Sequence, residues 1–136
     1  AIACAQMDKL DAILDNRITL AEALTKQIQG LSQIRPPTVR KGCRHVYYSW
    51  PILLNFDERD QFLSKINALG MPLSRYVKPL YHLDAFKSAP HACPLAEEIH
   101  KRLAVFENCA WSPTDLQIAK IGRAIRQALD DVTQTV

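Results

Sequence analysis

Residues 46–70, VYYSWPILLNFDERDQFLSKINALG, combine a strand pattern with a helix pattern. Val46 to Leu54 is rich in β-branched and aromatic residues, which favours a strand, and Pro51 indicates a sheet edge or a bulge. Asp57 is a suitable N-cap for the helix that follows, and Gly70 is typical of the position just beyond a helix C-terminus. Four apolar side chains share one face of this helix: Phe62, Leu63, Ile66 and Leu69. The pattern predicts a strand followed by an amphipathic helix.

The chain after Gly70 continues the alternation of strand and helix. A short strand is predicted over Leu73 to Val77, whereas Pro79 to His91 has no clear period and indicates a loop. Pro94, at a first helical position, predicts a helix that runs through Leu103. Three apolar side chains of this helix are expected in the core: Leu95, Ile99 and Leu103.

The last part of the chain predicts one more strand and one more helix. The strand covers Ala104 to Ala110, and the helix starts with Ser112 as N-cap and Pro113 at the first helical position. Six of its apolar side chains are expected to face the core: Leu116, Ile118, Ile121, Ile125, Leu129 and Val132. The order of elements predicts a two-layer α/β (α+β) sandwich, in which helices pack against a small sheet.

Apolar residues recur at steps of three and four near the N-terminus, which predicts one long helix. They are Met7, Leu10, Leu14, Ile18, Ala21, Leu24, Ile28 and Leu31. A helix of about 28 residues is roughly 40 Å long, which is more than a small domain needs. We therefore expect residues 1–34 to link a small domain, residues 35–136, to a part of the protein that this chain lacks. The pattern also starts at Ala1 with neither an initiator Met nor an N-cap, so we expect a fragment.

The composition is that of one globular domain, with 136 residues, 48% hydrophobic and 23% charged. The formal net charge of +3 is too small and too evenly spread to predict binding to nucleic acid or to an anionic membrane. No apolar run has the length of a membrane span, and no signal peptide opens the chain. We therefore expect a soluble, cytoplasmic protein. Its four cysteines are widely spaced and are expected to be reduced: Cys4, Cys43, Cys93 and Cys109.

Two short Cys/His pairs form a candidate metal site in the sequence. Cys43-x-His45 and His91-x-Cys93 offer two sulfur and two nitrogen ligands, the set of a tetrahedral zinc site. The spacing is not that of a known zinc finger, and the one-residue gaps between ligands are tight. Two loop histidines beside two small buried thiols are the favoured interpretation, and a metal-binding interaction domain stays an alternative.

Residues 74–82, SRYVKPLYH, concentrate two phenols, two cations and an imidazole around Pro79, which stiffens the chain. Such a loop presents hydrogen-bond donors that suit a polyhydroxylated or anionic ligand in a cleft. An edge loop with surface aromatics would have a similar sequence, so both interpretations stay open. On these residues alone, the chain is a candidate for a stand-alone α/β module that binds a small polar ligand or takes part in a protein interaction.

Several stretches resemble one enzyme family in their order along the chain. Residues 1–17, AIACAQMDKLDAILDNR, are similar to the pattern A-I-G-x-x-Q-L-x-K-L-D-x-x-x-x-x-R on the helix that leaves the large domain in sugar aminotransferases of the DegT/DnrJ/StrS family. The similarity continues through HVYY at 45–48, GMPLSRYVKPLY at 70–81 and CPLAE at 93–97. The closing helix adds matches at Asp115, Ile118 and Ile125. The resemblance thus covers nearly the whole chain.

The resemblance implies a pyridoxal-phosphate (PLP) enzyme of the aspartate-aminotransferase fold (fold type I), which moves an amino group from glutamate or glutamine onto a keto-sugar or keto-cyclitol. This chain resembles its C-terminal small domain together with the connecting helix. In the family, the lysine that binds PLP covalently, the acid at the pyridine nitrogen and most of the phosphate site lie upstream. The isolated chain is therefore expected to be inactive and to bind no cofactor. The implied partners are the N-terminal large PLP-binding domain, a second subunit in a homodimer and the substrate.

The resemblance also implies a set of substrate contacts at the mouth of the active site. The candidates carried over by position are Tyr76, Lys78, Tyr81, His82 and Tyr48. Many members have a His-Tyr pair where this chain has Arg75-Tyr76, and many have His at the position of Tyr48. These two departures leave the identity of the amino acceptor open. No catalytic residue and no metal ligand is expected in this chain.

Overall fold

The computed structural model describes residues 2–86, 93–107 and 112–133. Helices and short strands follow one another along these ranges. They are α1 (Ile2–Met7), α2 (Leu10–Ile28), β1 (Ile34–Arg35), β2 (Trp50–Leu54), α3 (Arg59–Ala68), β3 (Ser74–Arg75), α4 (Pro94–Arg102), β4 (Leu103–Phe106) and α5 (Asp115–Thr133). Two single turns of 3₁₀ helix, Leu80–His82 and Asp84–Phe86, lie between β3 and α4.

The four described strands form one antiparallel sheet in the order β1-β2-β4-β3. Trp50 lies opposite Phe106 and Ile52 opposite Ala104, so these side chains share one face of the sheet, which we call the front face. Pro51 lies opposite Val105, and Leu53 lies opposite Leu103, on the back face. The front-face members of β2 are all buried, and its back-face members are only half-buried.

Three helices cover the front face and form the second layer. Helix α5 packs against both α2 and α3. The helices bury a set of apolar side chains: Leu20, Ala21, Leu24 and Ile28 from α2, Phe62, Leu63 and Ile66 from α3, and Ile121, Ile125, Ala128, Leu129 and Val132 from α5. Each large apolar side chain buried in this way contributes about 1.5–3 kcal/mol. The predicted mixed α/β fold, in which helices pack against a small sheet, is confirmed.

Helix α4 lies on the back face instead, where it contacts β2. The prediction that its apolar side chains enter the core is wrong, because Leu95 is 68% exposed and Ile99 is 38% exposed. Leu103 belongs to β4 and is half-buried. Leu116, in the first turn of α5, is also 63% exposed against expectation. A helical period identifies the apolar face of a helix but not whether another element covers it.

The predicted long N-terminal helix is interrupted. Helix α1 ends at Met7 and α2 begins at Leu10, and at the break the Lys9 N–H donates to the Gln6 carbonyl at 3.1 Å. Met7 and Leu10 are exposed, whereas the predicted apolar face enters the core only from Ile18 onwards. The tighter bond at Lys9 ends the first helix with a 3₁₀-type turn.

Within the described ranges, no helix combines the length and the apolar character of a membrane span.

Two predicted N-caps are wrong. Helix α3 begins at Arg59, two residues after Asp57, and the Asp57 carboxylate instead accepts a hydrogen bond from the Arg102 guanidinium at 2.9 Å. Helix α5 is capped by Thr114 rather than by Ser112. The Thr114 N–H donates to the Gln117 side chain at 2.8 Å, and the Gln117 N–H reaches the Thr114 hydroxyl at 3.4 Å. This reciprocal pair is a capping box.

The strand predicted over Val46 to Leu54 forms only from Trp50. Tyr47 has a positive φ of 44°, and its N–H donates to His45 Nδ1 at 2.9 Å, so the chain turns before it enters β2. Strand β2 is an inner strand, but β1 pairs only with Leu53 and Leu54. Pro51 therefore has a partner strand on one side only, which is why its missing N–H is tolerated.

The other strand and turn predictions hold in shortened form. The strand predicted over Leu73 to Val77 is β3, and the one predicted over Ala104 to Ala110 is β4, although residues 108–110 lie outside the described ranges. Gly70 has a φ of +87°, as expected of a residue that follows a helix C-terminus.

Candidate functional site

A groove opens beside the back face of the sheet, between the segment that follows β3 and helix α4. Tyr76, Lys78 and Tyr81 line one side, Ile99 and His100 line the other, and Leu103 completes the lining. Its volume is about 670 Å³. A groove of this size is suited to a small organic molecule.

The segment that forms the first wall of the groove starts from a fixed point. Strand β3 pairs with β4, and the Arg75 guanidinium forms an ion pair with Asp60 of α3 at 2.6 Å. Pro79 then restricts the backbone, and the His82 N–H donates to the Pro79 carbonyl at 2.9 Å to close a 3₁₀ turn. This turn places the Tyr81 and His82 rings edge to face, with centroids 5.0 Å apart.

One carboxylate of α4 connects the two walls of the groove. His82 Nε2 lies 2.7 Å from Glu97 Oε1, within hydrogen-bond and ion-pair distance. The Tyr81 hydroxyl is shielded from solvent and also interacts with the Glu97 carboxylate. Both donors come from the 3₁₀ turn, and the single acceptor comes from α4.

These contacts shift the pKa values of both partners of the phenol–carboxylate pair. The pKa of Tyr81 is raised to about 12, first because burial disfavours the phenolate and then because Glu97 and Cys93 would repel it. The pKa of Glu97 is held below its usual range, chiefly by the hydrogen bond from Tyr81 and further by His82 and His100, against an opposing effect of burial. At neutral pH, the pair is therefore a phenol that donates to a carboxylate.

His100 lies on the same side of α4 and is a half-buried imidazole. Its ring centroid is 6.2 Å from that of His82. The pKa of His100 is lowered, first by burial and then by the positive charges of Arg59, His82 and Lys78, which outweigh the attraction of Glu97. His100 is thus a neutral imidazole at the groove wall at neutral pH.

Arg59, at the start of α3, restrains the C-terminal end of α4. Its side chain is buried, and its guanidinium donates to the backbone carbonyl of His100. Its Nε also approaches the Asp60 carboxylate at 3.3 Å. The last carbonyls of a helix have no partner within the helix, so this cation satisfies one of them.

The structure brings together three of the five predicted site residues. Tyr76, Lys78 and Tyr81 line the groove. His82 is not a lining residue of the groove, and its imidazole contacts Glu97. Tyr48 does not line this groove and is 75% exposed.

Sequence reasoning missed two polar groups at this site, Glu97 and His100. They are three residues apart on α4, a spacing that places two side chains on one helix face. That spacing, next to the predicted ligand loop, is the signal that could have found them.

The candidate zinc ligands do not form a cluster in the described ranges. Cys43 and Cys93 are exposed, which corrects the expectation of buried thiols, and Cys4 is exposed as well. The Nδ1 atom of His45 accepts the hydrogen bond from the Tyr47 N–H. His91 and Cys109 lie outside the described residues. Within the described ranges, no group of three or more His, Cys, Asp or Glu side chains is arranged to hold a metal ion.

Comparison with known proteins finds the same family that the sequence pattern indicated. Residues 1–121 match the model of the DegT/DnrJ/EryC1/StrS aminotransferase family. No curated protein sequence matches the chain.

Solved structures match the fold over nearly the whole chain. The aminotransferase TlmJ from Streptoalloteichus hindustanus has a TM-score of 0.84 and 18% identity, and the match covers 97% of this chain and 36% of TlmJ. Helicobacter pylori PseC, an aminotransferase of pseudoaminic acid biosynthesis, has a TM-score of 0.83 and 13% identity, with 94% and 36% covered. Spr1654 of Streptococcus pneumoniae, described as a sugar aminotransferase in its PMP form, has a TM-score of 0.82 and 16% identity, with 95% and 34% covered.

At these identities the solved structures establish the fold alone, and the chain spans about a third of the length of each of them. The family assignment comes from the family model, which matches well over half of the 136 residues. This chain belongs to the DegT/DnrJ/EryC1/StrS aminotransferase family.

Proposed function

We propose that this chain is the C-terminal small domain of a PLP-dependent aminotransferase, which acts on a keto-sugar, often nucleotide-linked, or on a keto-cyclitol. The domain would help to close the active site. The observation that carries the proposal is the match of nearly the whole chain to about a third of each solved aminotransferase. The remaining two thirds of the enzyme would supply the large PLP-binding domain, and two full-length chains would form a homodimer.

PLP provides the electron sink of transamination, and Spr1654 has been solved in both its PMP and its PLP form. The described residues of this chain do not fit that cofactor. A PLP site needs a lysine for covalent attachment and a free carboxylate for the pyridine nitrogen. None of the described lysines is buried, and Glu97 at the groove already accepts from His82 and Tyr81. We therefore propose that the cofactor site lies in the large domain.

In this proposal, the groove wall contributes contacts to the substrate. Tyr76 and Lys78 have exposed side chains that line the groove, so a phenol and an ammonium group are available to hydroxyl or phosphate oxygens. Val77 and Ile99 add apolar surface against which the face of a sugar or cyclitol ring can pack.

The experiment is a transamination assay on the longer protein that carries this domain, with glutamate or glutamine as donor and a panel of keto-sugar nucleotides and keto-cyclitols as acceptors. We expect turnover of at least one acceptor, no turnover by the 136-residue chain alone, and a higher KM for the acceptor in Y76F and K78A. Turnover by the isolated chain would contradict the proposal. So would a longer protein that turns over none of the acceptors in the panel.

A stand-alone module that binds a small polar ligand is the second candidate, because the groove is formed entirely by residues of this chain. Calorimetry with the 136-residue chain and sugar nucleotides separates the two functions. Saturable binding that is lost in K78A supports the stand-alone module, whereas a small domain that only completes a larger site is expected to show none.

A further inference from the structure

We propose that Glu97 is a positioning residue, whose carboxylate clamps Tyr81 and His82 and so fixes the wall segment that presents Tyr76 and Lys78. The clamp is a property of the described chain itself, and only its consequence for substrate binding rests on the proposed function.

The wall segment has little apolar burial to hold it in place. Val77 is 72% exposed and Leu80 is 66% exposed, and neither of the two 3₁₀ turns contains a buried residue. The hydrophobic effect therefore contributes little to the position of this segment, since the free energy scales with the apolar area removed from water. Polar contacts must provide much of the restraint.

Glu97 provides such a contact from α4. Its carboxylate interacts with His82, at 2.7 Å, and with the Tyr81 hydroxyl. The side chains of His82 and Glu97 are 38% and 34% exposed, so the contact is only partly open to water. Contacts from two consecutive residues to one carboxylate restrain both the position and the orientation of the turn, and the 2.7 Å contact with His82 is of the stronger kind because its acceptor is ionised.

The groups around Glu97 favour its charged form. Tyr81 and His82 face it from the turn, His100 faces it from its own helix, and Lys78 and Arg59 act on His100 from the neighbouring elements. A carboxylate that accepts from a phenol and faces imidazoles stays ionised at neutral pH. The Glu97 carboxylate is therefore ionised, and can accept hydrogen bonds, in the absence of a ligand.

The clamp divides the candidate contacts into two roles. The Tyr81 hydroxyl interacts with Glu97, so we assign Tyr81 the role of an anchor within the protein. Tyr76 and Lys78 stay exposed along the groove and are the groups that the anchor positions. Glu97 therefore acts on a ligand through these two residues and does not itself need to touch it.

The neighbouring carboxylate offers a matched control. Glu98 lies on the same turn of α4 but points to Arg102, with which it forms an exposed i,i+4 pair at 3.4 Å. Removal of Glu98 changes the charge of the helix start by the same amount as removal of Glu97, without touching the clamp.

The test of the clamp is hydrogen exchange, measured by NMR on the 136-residue chain, at the amides of His82 and Leu83. In the structure these amides donate to Pro79 and Leu80 at 2.9 and 3.0 Å. We expect their exchange to accelerate about tenfold or more in E97A and less in E97Q, which keeps one acceptor oxygen, with no change in E98A. The amides of β2 serve as the internal reference. Equal exchange at His82 and Leu83 in all four proteins would overturn the clamp.

The test of positioning uses the longer enzyme and the acceptor that it turns over. We expect E97A to raise the KM for the acceptor at least fivefold with a smaller change in kcat, E97Q to recover part of the loss, and E98A to match the wild type. Faster exchange in E97A with an unchanged KM would overturn the positioning role. An enzyme without transaminase activity would contradict the proposed function, and the exchange result would still decide whether Glu97 clamps the segment.

Discussion

Replacement of Arg59 by Met tests how the groove is attached to the core. Arg59 is buried in α3, and its guanidinium donates to the His100 carbonyl at the end of α4. Met keeps the length and the apolar character of the stem, so the loss of packing is small. R59M therefore isolates the polar contacts of the guanidinium.

The expected decrease in the free energy of unfolding follows from two contacts of different strength. A hydrogen bond that involves a charged group contributes about 1.5–3 kcal/mol. The contact of Arg59 with Asp60 contributes less than about 1 kcal/mol, because the Asp60 side chain is 58% exposed. Part of this loss in the free energy of unfolding is offset, because the R59M chain no longer has to desolvate a cation when it folds. We expect R59M to lower the free energy of unfolding by about 2 kcal/mol, or the Tm by roughly 6–10 °C.

The assay is urea unfolding followed by circular dichroism, with R75M as the matched control. Arg75 pairs with the same Asp60 at 2.6 Å, but both side chains are more than half exposed, so its loss is expected to be below about 1 kcal/mol. A free energy of unfolding of R59M within about 0.5 kcal/mol of the wild type, on the order of experimental error, would contradict the expected role of Arg59, as would equal losses in R59M and R75M.

Three further predictions concern the groove and the helix layer. The pKa of His100 is lowered in the folded chain, so its contribution to the free energy of unfolding is complete above pH 6.5 and is lost as the pH falls. The wild type should therefore lose stability relative to H100N between pH 7.5 and 5. Parallel curves of stability against pH for the two proteins would contradict this. T114A should cost about 1 kcal/mol in urea unfolding, through loss of the Gln117 capping box, and T114S should recover most of it. G122A should destabilise by about 1 kcal/mol, because its added Cβ would overlap Oε1 of Gln27 and lie 2.9 Å from Cβ of Gln27, and overpacking of about 1–3 kcal/mol outweighs a helix-propensity gain of about 1 kcal/mol. A more stable G122A would show that α2 and α5 have room between them.

The fold class could be predicted from the sequence because it depends on local patterns. Three of the four apolar residues predicted on one face of α3, and the central part of the apolar face of α5, are buried as their period of three and four residues indicates. The fourth, Leu69, lies just beyond the end of α3 and is 40% exposed. The burial of α4 could not be predicted in this way. Its apolar face has the same period as a core helix, yet Leu95 and Ile99 remain exposed because α4 lies on the back face of the sheet.

The caps and the turn before β2 could not be predicted for a different reason. Asp57 has the correct residue type for a cap, but Arg102, 45 residues later in the chain, binds its carboxylate. Tyr47 lies in a run that favours a strand, but its positive φ and its bond to His45 turn the chain there. At Asp57 a tertiary contact overrides the local preference, whereas at Tyr47 a side chain two residues away, which a strand pattern does not take into account, binds the backbone N–H.

The candidate site, too, could be predicted only in part from the sequence. The concentration of phenols and cations around Pro79 identified the segment, and Tyr76, Lys78 and Tyr81 do line the groove. The sequence placed His82 among the substrate contacts, whereas the structure shows it bound to Glu97, which is 15 residues away. Which polar groups face a ligand and which face each other depends on how α4 is placed against the turn.

We propose that this chain is one domain of a larger aminotransferase. The most direct measurement is the intact mass of the native gene product, captured from its source cells with an antibody against this domain. We predict a species of about three times 15.4 kDa, because the chain spans about a third of its solved relatives, and we predict that this species transfers an amino group to a keto-sugar or keto-cyclitol. A native species of about 15.4 kDa without transaminase activity would contradict the account.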